Sequence, residues 1–418
     1  MTPRHSAPRR PRAVRHARRL RRHPVGHVVA LATVAALSFG ATGAATAYIR
    51  LENNIETHDV TALLGEDRPV RTEPVDPTDP NAGRALNILL MGSDVRDGAN
   101  AAIGGDVEGM RSDTTIVLHI SADRQRVDLV SIPRDSHVDV PECPRSDGTA
   151  SSPRSTRFNE AFSLGSQSGN VADAAACTIR TVESLTGVFI DGWFLVDFAG
   201  FVNMVDALGG IPMCIPNDMR SPKAGLELAA GQQTLDGTTA LAFARARTGT
   251  GVGDGSDTNR LGRQQQLLAA TANEVLSKNL LTDSTKLYLF LNAATQSLTA
   301  DPETGNLSSL AGLAFSLREV PSGNITFMTV PFRSWPQDPN QVEWTDEADT
   351  IWANMAADVP LVAPVATPPV EPTQPGTTDP AAPVDPTATA PATTPVTPVE
   401  PPKPGVDPFT PDDLQSVC

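Results

Sequence analysis

Apolar residues are spread unevenly along the chain, and their spacing divides it into zones. Residues 25–49 form the longest apolar run, with no charged side chain and a single histidine, His27. About 20 such residues suffice for a helix to cross a bilayer, so the run predicts a transmembrane helix over 24–49. Ala45-Thr46-Ala47 resembles a signal-peptidase site, but cleavable apolar regions run only ~7–15 residues. The length therefore favours an uncleaved anchor. Residues 50–83 read as a linker that ends in a turn-rich Pro/Asp segment (74–81). Beyond 359, prolines interleaved with Thr, Val and Ala predict an extended, disordered tail over 359–418, because such a composition cannot bury a core.

Between 84 and 358 the pattern is that of one folded domain in which strands and helices alternate. LNILLM (86–91) has the length and composition of a buried strand, while DTTIVLHI (113–120) and RVDLVSI (126–132) are rich in β-branched residues and joined by a hairpin. Residues 171–186 place Ala175, Ile179, Val182 and Thr186 at helical spacing and stop at Gly187. A strand over 192–197 precedes an amphipathic helix from Phe198 to Leu208. A long helix over 258–278 and a late strand over 325–332 follow. This alternation predicts an α/β fold, a three-layer α/β/α sandwich with a central mixed sheet, as a single domain behind the membrane helix.

Charge sharpens the picture. The chain of 418 residues carries 33 Lys+Arg against 48 Asp+Glu, a net −15. Nine of the arginines lie in residues 1–23, which contain no acid, so the rest of the chain is at −24. A basic tail abutting the apolar run orients it, with the N-terminus cytoplasmic and the acidic body outside a cell membrane crossed once. An acidic body also argues against nucleic acid as a partner. Export gives the four cysteines an oxidising setting. Cys143 and Cys177 flank one loop-and-helix segment and are expected to pair, which leaves Cys214 with Cys418 by default. No C-x-x-C spacing suggests zinc.

Polar residues gather where strands end. These are Asp94, Arg111-Ser112-Asp113, Pro133-Arg134-Asp135, Arg245-Ala246-Arg247, and Asp257 with Arg260, Arg263 and Gln264. Ligands of open α/β sheets collect at strand ends. No Ser-His-acid set is readable. Carboxylates among arginines suit a phosphorylated ligand instead. Two aspartates can hold a hard cation such as Mg2+ (or Mn2+) together with phosphate oxygens, and guanidinium forks clamp phosphate bidentately.

LNILLMGSD, RSDTTIVLHI, VDLVSIPRDS, RFNEAF, LTGVFIDGWFLVDFAGFVNMVDALGGI, LDGTTALAFARAR and GDGSDTNRLGRQQQ, in unbroken order, resemble successive blocks of the LytR-CpsA-Psr family, actinobacterial type. The resemblance implies a membrane-anchored, extracytoplasmic phosphotransferase. Such an enzyme moves a glycopolymer phosphate from a polyprenyl-pyrophosphate carrier to the C6 hydroxyl of muramic acid in peptidoglycan. It implies Asp94 and Asp113 as the metal-engaging pair, with Arg134, Arg245 and Arg247 in catalysis. Arg111, Arg157, Arg260 and Gln264 would bind the pyrophosphate. Arg263 joins that group, although it and Asp257 are read mainly as orienting the others. Phe198, Phe201 and Val202 would line a groove for the lipid, or serve as ordinary core. The expected partners are the lipid-linked glycan, peptidoglycan and the cytoplasmic membrane. Three other readings stay open: a pyrophosphatase with water as acceptor, a non-catalytic wall tether, and a transcription attenuator.

Overall fold

The computed structural model describes residues 24–71, 83–93, 110–275, 283–362 and 402–415. The chain divides into two compact units, Met1–Arg50 and Leu51–Cys418. In the first, the apolar run becomes helix α1 (Pro24–Asn54, whose last four residues belong to the second unit), long and apolar enough to cross a membrane. It leaves Leu31, Leu37 and Phe39 fully open to the surroundings, as a lipid-facing helix does.

The second unit is built on a mixed seven-stranded sheet. Its strands are β1 (Glu56–Thr57), β2 (Leu86–Ser93), β3 (Ser112–Ile120), β4 (Val127–Ile132), β5 (Gly192–Val196), β6 (Leu298–Ala300) and β7 (Ile325–Thr329). They lie in the order β1-β6-β5-β2-β3-β4-β7. The pairs β2–β3, β3–β4 and β5–β6 are antiparallel, whereas β2–β5, β4–β7 and β1–β6 are parallel. Side chains alternate across a strand, and here both faces are apolar. Leu89, Met91, Val117, Val130 and Trp193 pack on one side against Ile179 and Val182 of α2 (Val171–Thr186). Trp352 and Met355 of the helix Asp346–Ala356 complete that layer. On the other side Ile88, Ile116, Leu129, Phe194 and Phe327 meet Ala269 of α5 (Asp257–Val275), with Leu310 and Leu313 of α7 (Leu307–Leu317) beside them. The result is an α/β/α sandwich of the expected class.

Local chemistry explains the ends of the helices. The Asn170 side chain accepts from the Ala172 N–H at the start of α2, and Gly187 ends that helix at φ +66°. Asp197 does the same for α3 (Phe198–Leu208), which Gly209 ends at φ +87°. The late strand stops at Thr329, short of the expected 332, because Pro331 has no N–H to continue the ladder. Cys143 and Cys177 are disulfide-bonded. Cys214 is also disulfide-bonded, but Cys418 lies outside the described residues.

Two boundaries differ from the expectation. The segment read as a linker over 50–83 begins inside the domain: Leu51, Ile55, Val60 and Leu64 are buried, and Glu56–Thr57 pairs with β6 as the edge of the sheet. The segment read as a disordered tail over 359–418 returns to the domain at 402–415. There Phe409 is buried, exchanges backbone hydrogen bonds with Phe327 beside β4, and stacks on its ring. Both segments are short, and each is held by an edge of the sheet and a few apolar side chains rather than by a periodic pattern of its own.

Candidate active site

A register shift interrupts the β2–β3 ladder at Gly92/Ser93, next to Asp113. Bulges of this kind re-aim side chains at sheet ends. Because Thr115 pairs with Ile132, Asp113 before them on β3 and Arg134 after β4 overhang the same end of the sheet. Helix α4 (Gly237–Arg245) brings Arg247 to this end just beyond its last turn, and the first turn of α5 brings Asp257 and Arg260.

These side chains form one network. Arg134 Nη1 donates to Asp113 Oδ1 at 2.5 Å. Arg260 Nη2 donates to the Asp113 carbonyl at 3.3 Å, and its Nη1 stands 3.8 Å from Asp113 Oδ2. Asp257 Oδ1 is shared by three guanidinia: Arg247 Nη2 and Arg260 Nη2 at 2.7 Å each, and Arg134 Nε at 3.5 Å. Outward, Asp135 lies 3.4 Å from Arg134 and 3.8 Å from Arg157, whose Nη2 is 3.8 Å from Asp338. The strongly charged ends of α4 and α5 are thus tied to the strand ends by carboxylates that separate like charges.

Burial raises the Asp113 pKa, but the guanidinia of Arg134, Arg260 and Arg247 outweigh it and hold the group below its usual value. Burial likewise pulls at Arg134, yet Asp113 and Asp257 raise it. Arg260 goes the other way: burial brings it down to about 10, with Asp257 opposing. It still carries its charge at neutral pH. Four buried polar atoms of the cluster have no partner: Arg247 Nε, Arg260 Nε, Asp257 Oδ2 and Gln264 Oε1. Buried polar groups are almost always hydrogen-bonded, so exceptions call for an explanation. Two free N–H donors on neighbouring cations fit an anion. The free oxygen of Asp257, which shares Arg134 and Arg260 with Asp113, fits a hard cation. Among the described residues no three His, Cys, Asp or Glu are grouped to cage a metal. Two carboxylates without a cage suit Mg2+, which is usually held by one or two carboxylates plus substrate phosphates.

The other expected site residues are distributed as follows. Arg111 is exposed just before β3, and Arg245 is exposed at the end of α4 with its guanidinium 4.6 Å over the Phe198 ring. Gln264 stands on α5 and donates to the Ala244 carbonyl at 3.4 Å. Asp94 lies outside the described residues. Phe198, Phe201 and Val202 are half-buried on α3, which packs against α4 and α6 (Ser284–Gln296). Phe201 also packs against the cluster of Val205, Ile211 and Leu235, so it is core in part.

Arg263 stands apart from the others. Its guanidinium is buried and donates to three carbonyls, Phe243 O at 3.1 Å, Val252 O at 2.5 Å and Ala246 O. It caps the C-terminus of α4, where helical carbonyls lack partners, and it makes no contact with Asp113 or Asp257. Asp135 and Asp338 join the network without having been assigned a role from the sequence. Asp135 was visible beside Arg134, but nothing in the sequence signals that a hairpin 200 residues later brings in Asp338.

The sequence model of the LytR_cpsA_psr family matches residues 47–356. The cell wall biosynthesis protein LcpA of Corynebacterium glutamicum is 31% identical over 271 residues, covering 60% of this chain and 51% of the relative. A protein of Oceanobacillus iheyensis named polyisoprenyl-teichoic acid–peptidoglycan teichoic acid transferase TagU is 32% identical over 198 residues, or 47% of this chain and 54% of the relative. The chain thus spans about half the length of these curated relatives. Protein gbs0355 of Streptococcus agalactiae shares the fold, with a TM-score of 0.51 at 17% identity over 66% of this chain and 88% of that one. With the family's sequence pattern running from the end of the apolar helix through the whole sheet and every described arginine of the cluster, the chain belongs to the LytR_cpsA_psr family.

Proposed function

We propose that this protein joins a glycopolymer to peptidoglycan, taking the glycopolymer phosphate from a polyprenyl-pyrophosphate carrier and placing it on the muramic acid C6 hydroxyl. The observation that carries the reading is the pair of buried, unpartnered Nε–H donors on Arg247 and Arg260, set among guanidinia already neutralised in part by Asp113 and Asp257. A pyrophosphate would complete both donors, and the names of the relatives LcpA and TagU agree in placing such proteins at the wall.

In this reading Arg134, Arg247 and Arg260 bind the pyrophosphate oxygens and meet the charge that grows on them during transfer. Arg111, Arg157, Arg245 and Gln264 extend the binding surface, and half-buried Phe198 and Val202 take the lipid. Asp113 and Asp257, with Asp94, would hold Mg2+, which supplies further neutralisation of the phosphate charge when bound. The acceptor hydroxyl oxygen forms a bond to the sugar-linked phosphorus, the bond from that phosphorus to the bridging oxygen breaks, and polyprenyl phosphate departs with the electron pair. The hydroxyl proton passes to solvent. Asp113 is a poor base for it because the surrounding guanidinia depress its proton affinity. The helix α1 anchors the domain outside the cytoplasmic membrane, with the basic N-terminus inside.

Incubating the full chain in detergent with labelled lipid-linked glycan and peptidoglycan tests the reading. Label bound to the wall is expected. Free phospho-sugar without wall-bound label would replace transfer with hydrolysis, and no turnover of either kind would leave a tether.

A further inference from the structure

The chain has four tryptophans, and three have structural duties. Trp193 and Trp352 are buried in the core, and Trp344 tilts against Trp352 while its N–H donates to Ser136 Oγ at 3.0 Å. Trp335 differs. It heads the loop between the strands Phe332–Ser334 and Val342–Trp344 and is only part-buried, outside the core that holds the others. Its ring lies parallel to that of His137, with centroids 3.8 Å apart and 12° between the planes.

The polar surroundings of this pair are ordered. His137 Nδ1 lies 3.1 Å from Gln341 Oε1, and the Gln341 amide is fixed by its own donation to Asp338 Oδ2 at 2.8 Å. Nδ1 is therefore the protonated nitrogen, and in the neutral ring Nε2 is an acceptor. Backbone bonds from Trp335 N to Gln341 O and from Gln341 N to Asp338 O close the loop. The loop is joined to the phosphate cluster. Val342 N donates to Asp135 O at 3.1 Å, Arg157 pairs with His137 across the strands His137–Val140 and Arg154–Arg157, and the same Arg157 bridges Asp135 and Asp338. One chain of ion pairs runs from Asp113 through Arg134, Asp135 and Arg157 to the Trp335 loop.

We propose that Trp335, backed by His137, forms a stacking platform for a pyranose ring of the acceptor glycan. His137 covers one face of the indole, so it is the opposite face of Trp335 that receives the apolar C–H face of a sugar, while the Trp335 N–H, His137 Nε2, Asp338 and Gln341 supply the donor and acceptor edges that sugar hydroxyls need. A glycan held there lies beside Arg157 and so enters the phosphate cluster from the side of Asp135. The inference rests on the transfer reading above for the identity of the acceptor, but the binding itself can be measured without any transfer.

The test uses the full chain in detergent micelles, titrated by calorimetry with two probes separately: a soluble N-acetylglucosaminyl-N-acetylmuramyl peptide from digested peptidoglycan, and inorganic pyrophosphate. Trp335→Ala should weaken the glycan fragment at least ten-fold and leave pyrophosphate within two-fold, and Trp335→Phe should restore most of the glycan affinity. Equal glycan affinity in wild type and Trp335→Ala, or no binding to the wild type, overturns the proposal. Loss of both probes in Trp335→Ala marks a structural role and overturns it too. Wild-type glycan binding that depends on Trp335, with no pyrophosphate binding, would sustain the platform and remove the transfer reading instead.

Discussion

Replacing Arg263 by Met separates a structural arginine from the ligand-facing ones around it. Arg263 is 6% exposed, and its donors serve the carbonyls of Phe243, Val252 and Ala246. Methionine keeps the unbranched apolar stem but leaves three acceptors without a donor. Hydrogen bonds to a charged group contribute ~1.5–3 kcal/mol each, and an abandoned buried acceptor costs ~1–3 kcal/mol. Against that, the variant no longer has to bury a guanidinium whose pKa burial has already brought down to about 10. With three neutral acceptors abandoned and that burial cost removed, the expected net loss is ~2–4 kcal/mol. Urea unfolding followed by circular dichroism reads it, with Arg260→Met as the companion. Arg260 faces Asp113 and Asp257 and should show the larger loss of pyrophosphate affinity. An Arg263→Met protein that unfolds within ~0.5 kcal/mol of wild type while losing pyrophosphate affinity as Arg260→Met does would refute the assignment and return Arg263 to the ligand.

Other outcomes follow from the same contacts. Arg247→Ala removes a guanidinium with a buried free Nε–H and one of three cations on Asp257. It should cut transfer of labelled glycopolymer ~10²- to 10³-fold, as loss of one transition-state donor does, and an unchanged rate would exclude Arg247 from the reaction. Burial lowers the pKa of His119 from its ordinary 6.5 although Asp358 faces it and raises it. The unfolded chain then binds that proton more readily, so stability is complete above about 6.5 and declines as pH falls towards the lowered value. His119→Gln should flatten the urea midpoint between pH about 7.5 and 5, and an undiminished slope would assign the effect elsewhere. Phe409→Ala should cost ~3–5 kcal/mol in unfolding free energy, because the ring is buried on Phe327. A change below ~0.5 kcal/mol would show that the returning segment is not part of the fold.

The frame of the fold was legible because its elements are long, apolar on a regular period and bounded by residues with backbone preferences. The helix over 171–186 appears with those bounds, between Asn170 and Gly187, and the strands beginning near 86, 113 and 126 differ from the expectation by a residue or two. Short additions at the sheet edges were not legible. A two-residue strand such as Glu56–Thr57 has no period, and its pairing with Leu298–Ala300 joins segments with most of the domain between them. The returning segment did carry a signal, a single Phe409 in a run of prolines and acids, where a disordered chain has no use for a large aromatic.

The candidate site shows why residue type and spacing bring the right groups together without giving each its role. Arg260 and Arg263 are one turn apart on the same helix and differ little in sequence context. A step of three residues rotates a side chain by about 60°. That rotation turns Arg260 towards the strand-end carboxylate of Asp113, whereas Arg263 meets the carbonyl ends of α4. Which neighbour lies on which side depends on how α4 packs against α5, which the spacing of the two arginines does not encode. The motif therefore identifies a cluster of cations, and the carboxylates and carbonyls that answer each cation decide which of them have donors left for a ligand. By that criterion Arg247 and Arg260 each keep a buried Nε–H without a partner, whereas every nitrogen of Arg263 already serves a carbonyl.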